Sequence, residues 1–114
     1  MSLDQALEEW RALLGAEYVR DDAAACGPAA TATFHTNQHV LAMIRPGTRA
    51  ELQECLRIAS RTATPVYPVS AGKNWGYGSR VPSSDGCVLL LDRMNRILDF
   101  DDQLAYITVE PGVT

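Results

Sequence analysis

Nine consecutive residues, Ser70-Ala71-Gly72-Lys73-Asn74-Trp75-Gly76-Tyr77-Gly78, hold three glycines, one lysine and two aromatics. Glycine tolerates positive φ because it has no Cβ to clash, so such a run can turn tightly more than once. Turns of that kind point several backbone N–H groups into one concavity, a nest suited to a phosphate or diphosphate. Lys73 adds a positive charge there, and Arg80 follows closely. The plainer alternative is a surface loop whose glycines only make turns. Neither GxGxxG before an apolar helix nor GxxxxGK[ST] is present, so a phosphate here would be held by loop amides and not by a helix dipole. Ser79-Arg80-Val81-Pro82-Ser83-Ser84-Asp85-Gly86 extends the segment without helical periodicity. Loops of such length inside a compact domain are uncommon unless they serve a function.

Other groups that could do chemistry carry less. His35 and His39 stand four apart, a spacing that would put two imidazoles on one helical face for a metal, but no third ligand stands nearby. No metal site is therefore expected. Asp99, Asp101 and Asp102 fit a solvated hairpin turn better than a cation site. Cys26, Cys55 and Cys87 are odd in number and form no CxxC pair. They suggest small buried hydrophobes in a reducing, cytoplasmic setting.

The elements that must position the glycine loop alternate helix and strand. Ser2 and Gln5 form a capping-box pattern, after which Leu3, Leu7, Trp10 and Leu14 share a helical face and Gly15 ends it. Residues 16–33 have weak periodicity and are expected to be an irregular connection. Val40 to Ile44 is a short apolar run, expected as a buried strand. Thr48 and Glu51 form a second capping box, opening a helix with Leu52, Cys55, Leu56 and Ala59 on one face. Pro65 to Val69 predicts a strand bounded by prolines, and Cys87 to Leu91 another buried one. Ile97 to Phe100 and Leu104 to Val109 alternate with period two around a turn, predicting a hairpin in which Tyr106 faces the packed side. The strand–helix–strand unit at 40–69 requires a crossover, so its strands are expected to be parallel.

The fold class expected is α+β, a parallel part leading into an antiparallel part, with an N-terminal helix and connection over 1–39 and a second unit over 40–114. The 114 residues suffice for one domain with a modest core. A net charge of −4 without a basic stripe argues against nucleic acid, and no apolar run has transmembrane length. Glu110-Pro111-Gly112-Val113-Thr114 ends directly after a strand. That abrupt end suggests a fragment, or a chain whose last strand is covered by a second chain or by self-association.

Four ordered blocks together resemble the flavin-binding domain of the p-cresol methylhydroxylase and vanillyl-alcohol oxidase family. They are Arg45-Pro46 before a capped helix, Gly72 to Gly78, Leu91-Asp92-Arg93-Met94-Asn95-Arg96-Ile97, and Val109 to Thr114. The resemblance implies a PCMH-type FAD-binding domain, the first α/β subdomain plus the start of the antiparallel second subdomain. It implies that Ser70 to Gly78 wraps the FAD pyrophosphate and that Pro111, Gly112 and Val113 approach the flavin through their main chain. An ordinary turn ending a strand is the alternative for the latter block. Family members that attach FAD covalently near this loop use a histidine close to the second glycine. Lys73 stands in that neighbourhood here, so non-covalent FAD is expected. Hydride transfer from substrate to flavin, the chemistry implied, would need parts outside these residues, namely the remainder of a flavoenzyme. The competing expectation is a non-catalytic truncated domain serving as scaffold or interaction module.

Overall fold

A computed structural model describes residues 2–73 and 80–114 of the chain. Among these described residues three helices, α1 (Leu3–Leu14), α2 (Ala23–Ala29) and α3 (Arg49–Arg61), accompany six strands. The strands are β1 (Val19–Arg20), β2 (Val40–Ile44), β3 (Val66–Val69), β4 (Gly86–Leu90), β5 (Ile97–Asp101) and β6 (Tyr106–Val109). The first four form one sheet in the order β1-β2-β4-β3, and β5 pairs with β6 in a separate two-stranded sheet.

Both long helices begin where their caps predict. The Ser2 hydroxyl accepts from the Gln5 N–H at 3.2 Å and that of Thr48 from the Glu51 N–H at 3.1 Å, each meeting a donor that the first turn leaves over. Neither box closes fully. The Gln5 amide reaches forward to Glu9, and the Glu51 carboxylate accepts from the Gly47 N–H, one residue ahead of the cap. Gly15 ends α1. Ala6, Leu7, Trp10 and Leu14 are its buried residues, and the Trp10 indole donates to the Cys55 carbonyl at 3.1 Å, fastening α1 to α3. In α3 the buried residues are Cys55, Ile58 and Ala59, while Leu56, expected on that face, is exposed. The buried stripe runs 55, 58, 59, 62, and Leu56 falls beside it.

Residues 16–33 are not an irregular connection. A short 3-10 turn (Ala16–Tyr18) leads into β1, which pairs antiparallel with β2, and α2 follows. Asp22 caps α2 by accepting from the Ala25 N–H, and its carboxylate is held in turn by the Arg20 guanidinium. Pro28 sits in the last turn of this seven-residue helix.

In the main sheet β2, β4 and β3 are mutually parallel, as expected of β2 and β3, but β4 lies between those two. β4 is thereby central, and Gly86 to Leu89 are buried, as the continuous apolar run of such a strand requires. β3 is an edge strand, which is why Pro68 fits inside it without a lost ladder donor. One face of the sheet (Ala42, Ile44, Cys87, Leu89) packs on α1 and α3. The other (Val40, Val88, with Met43, Val69 and Leu90) meets Cys26, Ala29 and Ala30 of the α2 region. A bulge between Val40 and Ala42 places both residues inward, on opposite faces.

The β5–β6 hairpin is the antiparallel part. Asp101 shapes its turn, its carboxylate accepting from the N–H groups of Gln103 and Leu104. Register puts Phe100 opposite Ile107 and Ile97 opposite Val109, with Asp99, Asp101, Tyr106 and Thr108 on the other face. Every residue of β6 is exposed, Tyr106 included; its hydroxyl donates to Asp99 across the polar face. The packed side expected for Tyr106 is therefore not formed by the described residues.

Candidate functional site

Both strand-to-loop exits of interest lie at the carboxyl ends of parallel strands, where open α/β sheets hold their ligands. β3 runs out at Val69 into Ser70, Ala71, Gly72 and Lys73. β4 runs out at Leu90 into the 91–96 segment, which is fastened alongside because the Leu91 N–H donates to the Val69 carbonyl at 2.8 Å. Arg45 and Asp92 form a two-pronged ion pair at 3.1 and 2.9 Å, tying that segment to the end of β2. Arg93 reinforces the tie by donating to the Arg45 carbonyl and lying over the Tyr18 ring at 3.5 Å.

The 91–96 segment carries the C-terminal turn. The Met94 N–H donates to the Leu91 carbonyl, and the Gly112 N–H to the Met94 carbonyl at 2.8 Å. A Cβ on Gly112 would stand 2.4 Å from the Leu91 carbonyl oxygen and 2.8 Å from that of Met94, so only glycine permits this approach. Glu110 closes the base of the hairpin. Its buried carboxylate accepts from the Arg96 backbone N–H at 3.1 Å and from Arg96 Nε at 2.7 Å. Those hydrogen bonds hold the Glu110 carboxyl below the usual carboxylate range.

A single relay of hydrogen bonds thus runs from Val69 through Leu91 and Met94 to Gly112, and it brings two distant sequence blocks to one place. Between them lies a cleft of about 480 Å³, lined by Pro68, Val69, Ser70, Ala71, Gly72 and Lys73 on one side and by Val113 and Thr114 on the other, with Arg80 in the wall. Gly72 has φ +69°, a left-handed conformation that the turn requires and that a side chain resists. The walls combine small residues, backbone and two cations, a donor set that suits an anion with an apolar flank. Below it a smaller apolar pocket of about 210 Å³ extends between α2 and the sheet, lined by Ala25, Pro28, Met43, Val88 and Leu90 and sharing Val69, Ala71, Gly72 and Arg80 with the cleft.

Of the residues singled out from sequence, Ser70, Ala71, Gly72, Lys73 and Val113 line this cleft. Gly112 packs into the 91–96 backbone instead, and Pro111 is exposed beside it. Asn74, Trp75, Gly76, Tyr77 and Gly78 lie outside the described residues. Thr114, absent from that expectation, lines the cleft without any distinguishing signal of type or spacing.

The remaining candidates are occupied elsewhere. Residues 35–39 form no helix, so His35 and His39 do not share a helical face. His35 contacts Asn37, and the His39 backbone donates to Asp85 at 2.7 Å. All three cysteines are free and buried, and burial pushes the Cys55 and Cys87 thiols up to about 12, leaving them protonated and unreactive at neutral pH. No helix among the described residues is long and apolar enough to cross a membrane.

Comparison with known proteins adds to this geometry. The profile of a family described as FAD binding domain matches residues 40–114. The chain is 55% identical over 113 residues to the 1'-carboxy-chondrochloren decarboxylase of Chondromyces crocatus, covering 98% of this chain and 21% of that protein. It is 31% identical over 115 residues to the flavoprotein subunit of the hydroxylating 4-cresol dehydrogenase of Pseudomonas putida, covering 97% and 22%. Among solved structures, p-cresol methylhydroxylase with substrate bound superposes with a TM-score of 0.90 at 30% identity, covering 97% of this chain and 22% of that one. The 4-ethylphenol oxidase of Gulosibacter chungangensis gives 0.84 at 37% identity, covering 99% and 23%. The chain spans about a fifth of the length of these curated relatives.

Proposed function

We propose, from the premise that the chain belongs to the family of FAD binding domains, that its cleft holds the diphosphate of FAD within a larger FAD-linked oxidoreductase. FAD is the cofactor of this family, and a PCMH-type domain is its architecture here. The observation that carries the reading is the convergence of the Ser70–Lys73 turn and Val113–Thr114 on one cleft with Lys73 and Arg80 in its walls. A diphosphate diester is a compact dianion, which backbone amides around a left-handed glycine and nearby cations stabilise without a helix dipole. The cleft fits that group.

When bound, FAD supplies the hydride-accepting ring; this chain supplies its anchorage. Ser70 to Lys73 would orient the diphosphate. Val113, set by the Gly112 approach to Leu91 and Met94, would bring main chain toward the cofactor. No described residue is assigned an acid, base or nucleophile role. Attachment is non-covalent within these residues, since Lys73 is not a usual partner for the flavin methyl group. The residues that meet substrate belong to the part of the enzyme outside this chain. That same part covers the apolar face of the β5–β6 hairpin. The 55% identity to a decarboxylase favours a second reading of the whole enzyme's reaction, in which substrate loses a carboxyl group.

Gly72→Val tests the assignment. A β-branched residue at φ +69° strains the turn, and FAD affinity is expected to fall about 10- to 100-fold while the fold is retained. Undiminished FAD binding, read by flavin fluorescence and co-elution, would overturn the loop assignment and favour the scaffold alternative.

A further inference from the structure

Arg80 stands in the wall shared by the cleft and the apolar pocket beneath it. Its Nη1 lies 3.8 Å, and its Cδ 3.9 Å, from where a Cβ on Gly72 would be, so the guanidinium rests against the left-handed turn itself. Six other arginines of the chain (11, 20, 45, 57, 61 and 96) each hold a carboxylate. Arg80 is different. Among the described residues it has no ion pair, and its one hydrogen bond is a long one, from Nη2 to the Pro28 carbonyl at 3.4 Å. A guanidinium offers five donors in a planar fork, and the fork matches phosphate oxygens. Among the described residues most of that capacity is left over, at the edge of a cleft whose other described cation is Lys73. In a chain of net charge −4, such local cations are what make the cleft hospitable to a dianion.

We propose that Arg80 is a cofactor-binding residue that donates to the oxygens of the FAD diphosphate and, with Lys73, balances its charge. The inference rests on the cleft being the diphosphate site. The competing role is that of a strut: Arg80 only ties its segment to α2 through the Pro28 carbonyl. The two roles differ in what a neutral donor can replace. Glutamine keeps an N–H for a carbonyl but loses the charge; lysine keeps the charge but loses the fork.

The test is FAD affinity of the apoprotein, by flavin fluorescence titration, for Arg80→Gln, Arg80→Lys and Gly72→Val, with apoprotein melting temperatures alongside. Loss of a charge-assisted hydrogen bond is expected to weaken FAD about 10- to 100-fold in Arg80→Gln. Arg80→Lys should recover part of that, melting temperatures should hold, and salt should weaken FAD less steeply in Arg80→Gln than in the parent. If Arg80→Gln binds FAD like the parent while Gly72→Val does not, the cleft stands and Arg80 has no part in it. If Gly72→Val also binds like the parent, the cleft reading fails and this proposal with it. A fall in melting temperature matching the fall in affinity, with Arg80→Lys no better than Arg80→Gln, would make Arg80 the strut.

Discussion

Glu110 illustrates how one side chain can set a turn about 40 residues from the loop it faces. Its carboxylate is buried and held by Arg96 through backbone and side chain together, and the next residues lead straight into the cleft. The hydrogen bonds from Arg96 depress the carboxyl's folded pKa. A depressed folded value means that the contribution to stability is fully present above the ordinary glutamate pKa of about 4.3 and is lost as pH falls through the folded value. Denaturation of the parent and of Glu110→Gln across pH should therefore give two stability curves, the parent higher at neutral pH, that converge in acid. Curves separated by a constant amount down to acid pH would mean that ionisation of Glu110 does not matter. The importance of Gly72 is legible in the sequence because a strand running into repeated glycines signals a turn that needs positive φ. That of Gly112 is legible only as a turn residue. Its actual constraint, a carbonyl 2.4 Å from a would-be Cβ, is a tertiary contact that no local pattern encodes.

At the scale of elements, α1, α3, β2, β3, β4 and the hairpin can all be read from caps, periodicity and prolines. β1 and α2 cannot. A two-residue strand exists only through its pairing with β2, and a seven-residue helix containing Gly27-Pro28 has no stable isolated form. The position of β4 between β2 and β3 is equally hidden, since strand order is a property of packing and not of succession. The hairpin shows the opposite limit. Its alternation is plain, but which face packs depends on what lies above it, and among the described residues Tyr106 is exposed and bonded to Asp99 instead of packed. Phe100 and Ile107, paired across the ladder, are 66% and 52% exposed. Two-stranded ribbons are marginal in water without further cover. If the rest of a flavoenzyme provides that cover, Phe100→Ser should cost about 2 kcal/mol in the full-length protein and almost nothing in residues 1–114 alone, by denaturant titration. Equal, negligible costs in both would leave the hairpin's apolar face uncovered in the enzyme as well.

The described residues form a four-stranded sheet clad on one face by α1 and α3 and on the other by α2, with a separate hairpin, and the sheet's carboxyl edge is left to build a cleft. Two loops that close this cleft are far apart in sequence and meet only because Leu91, Met94 and Gly112 relay hydrogen bonds between β3 and the C-terminal turn. The proposed cofactor site stands on that convergence; family membership says where to look without saying which residues touch the cofactor. A crystal structure of the protein with FAD bound would decide the matter. The diphosphate is expected within hydrogen-bonding distance of the backbone amides of the 70–73 turn, with Val113 on the opposite wall. A diphosphate bound anywhere else, with the 70–73 turn free of it, would show that the cleft is not the cofactor site.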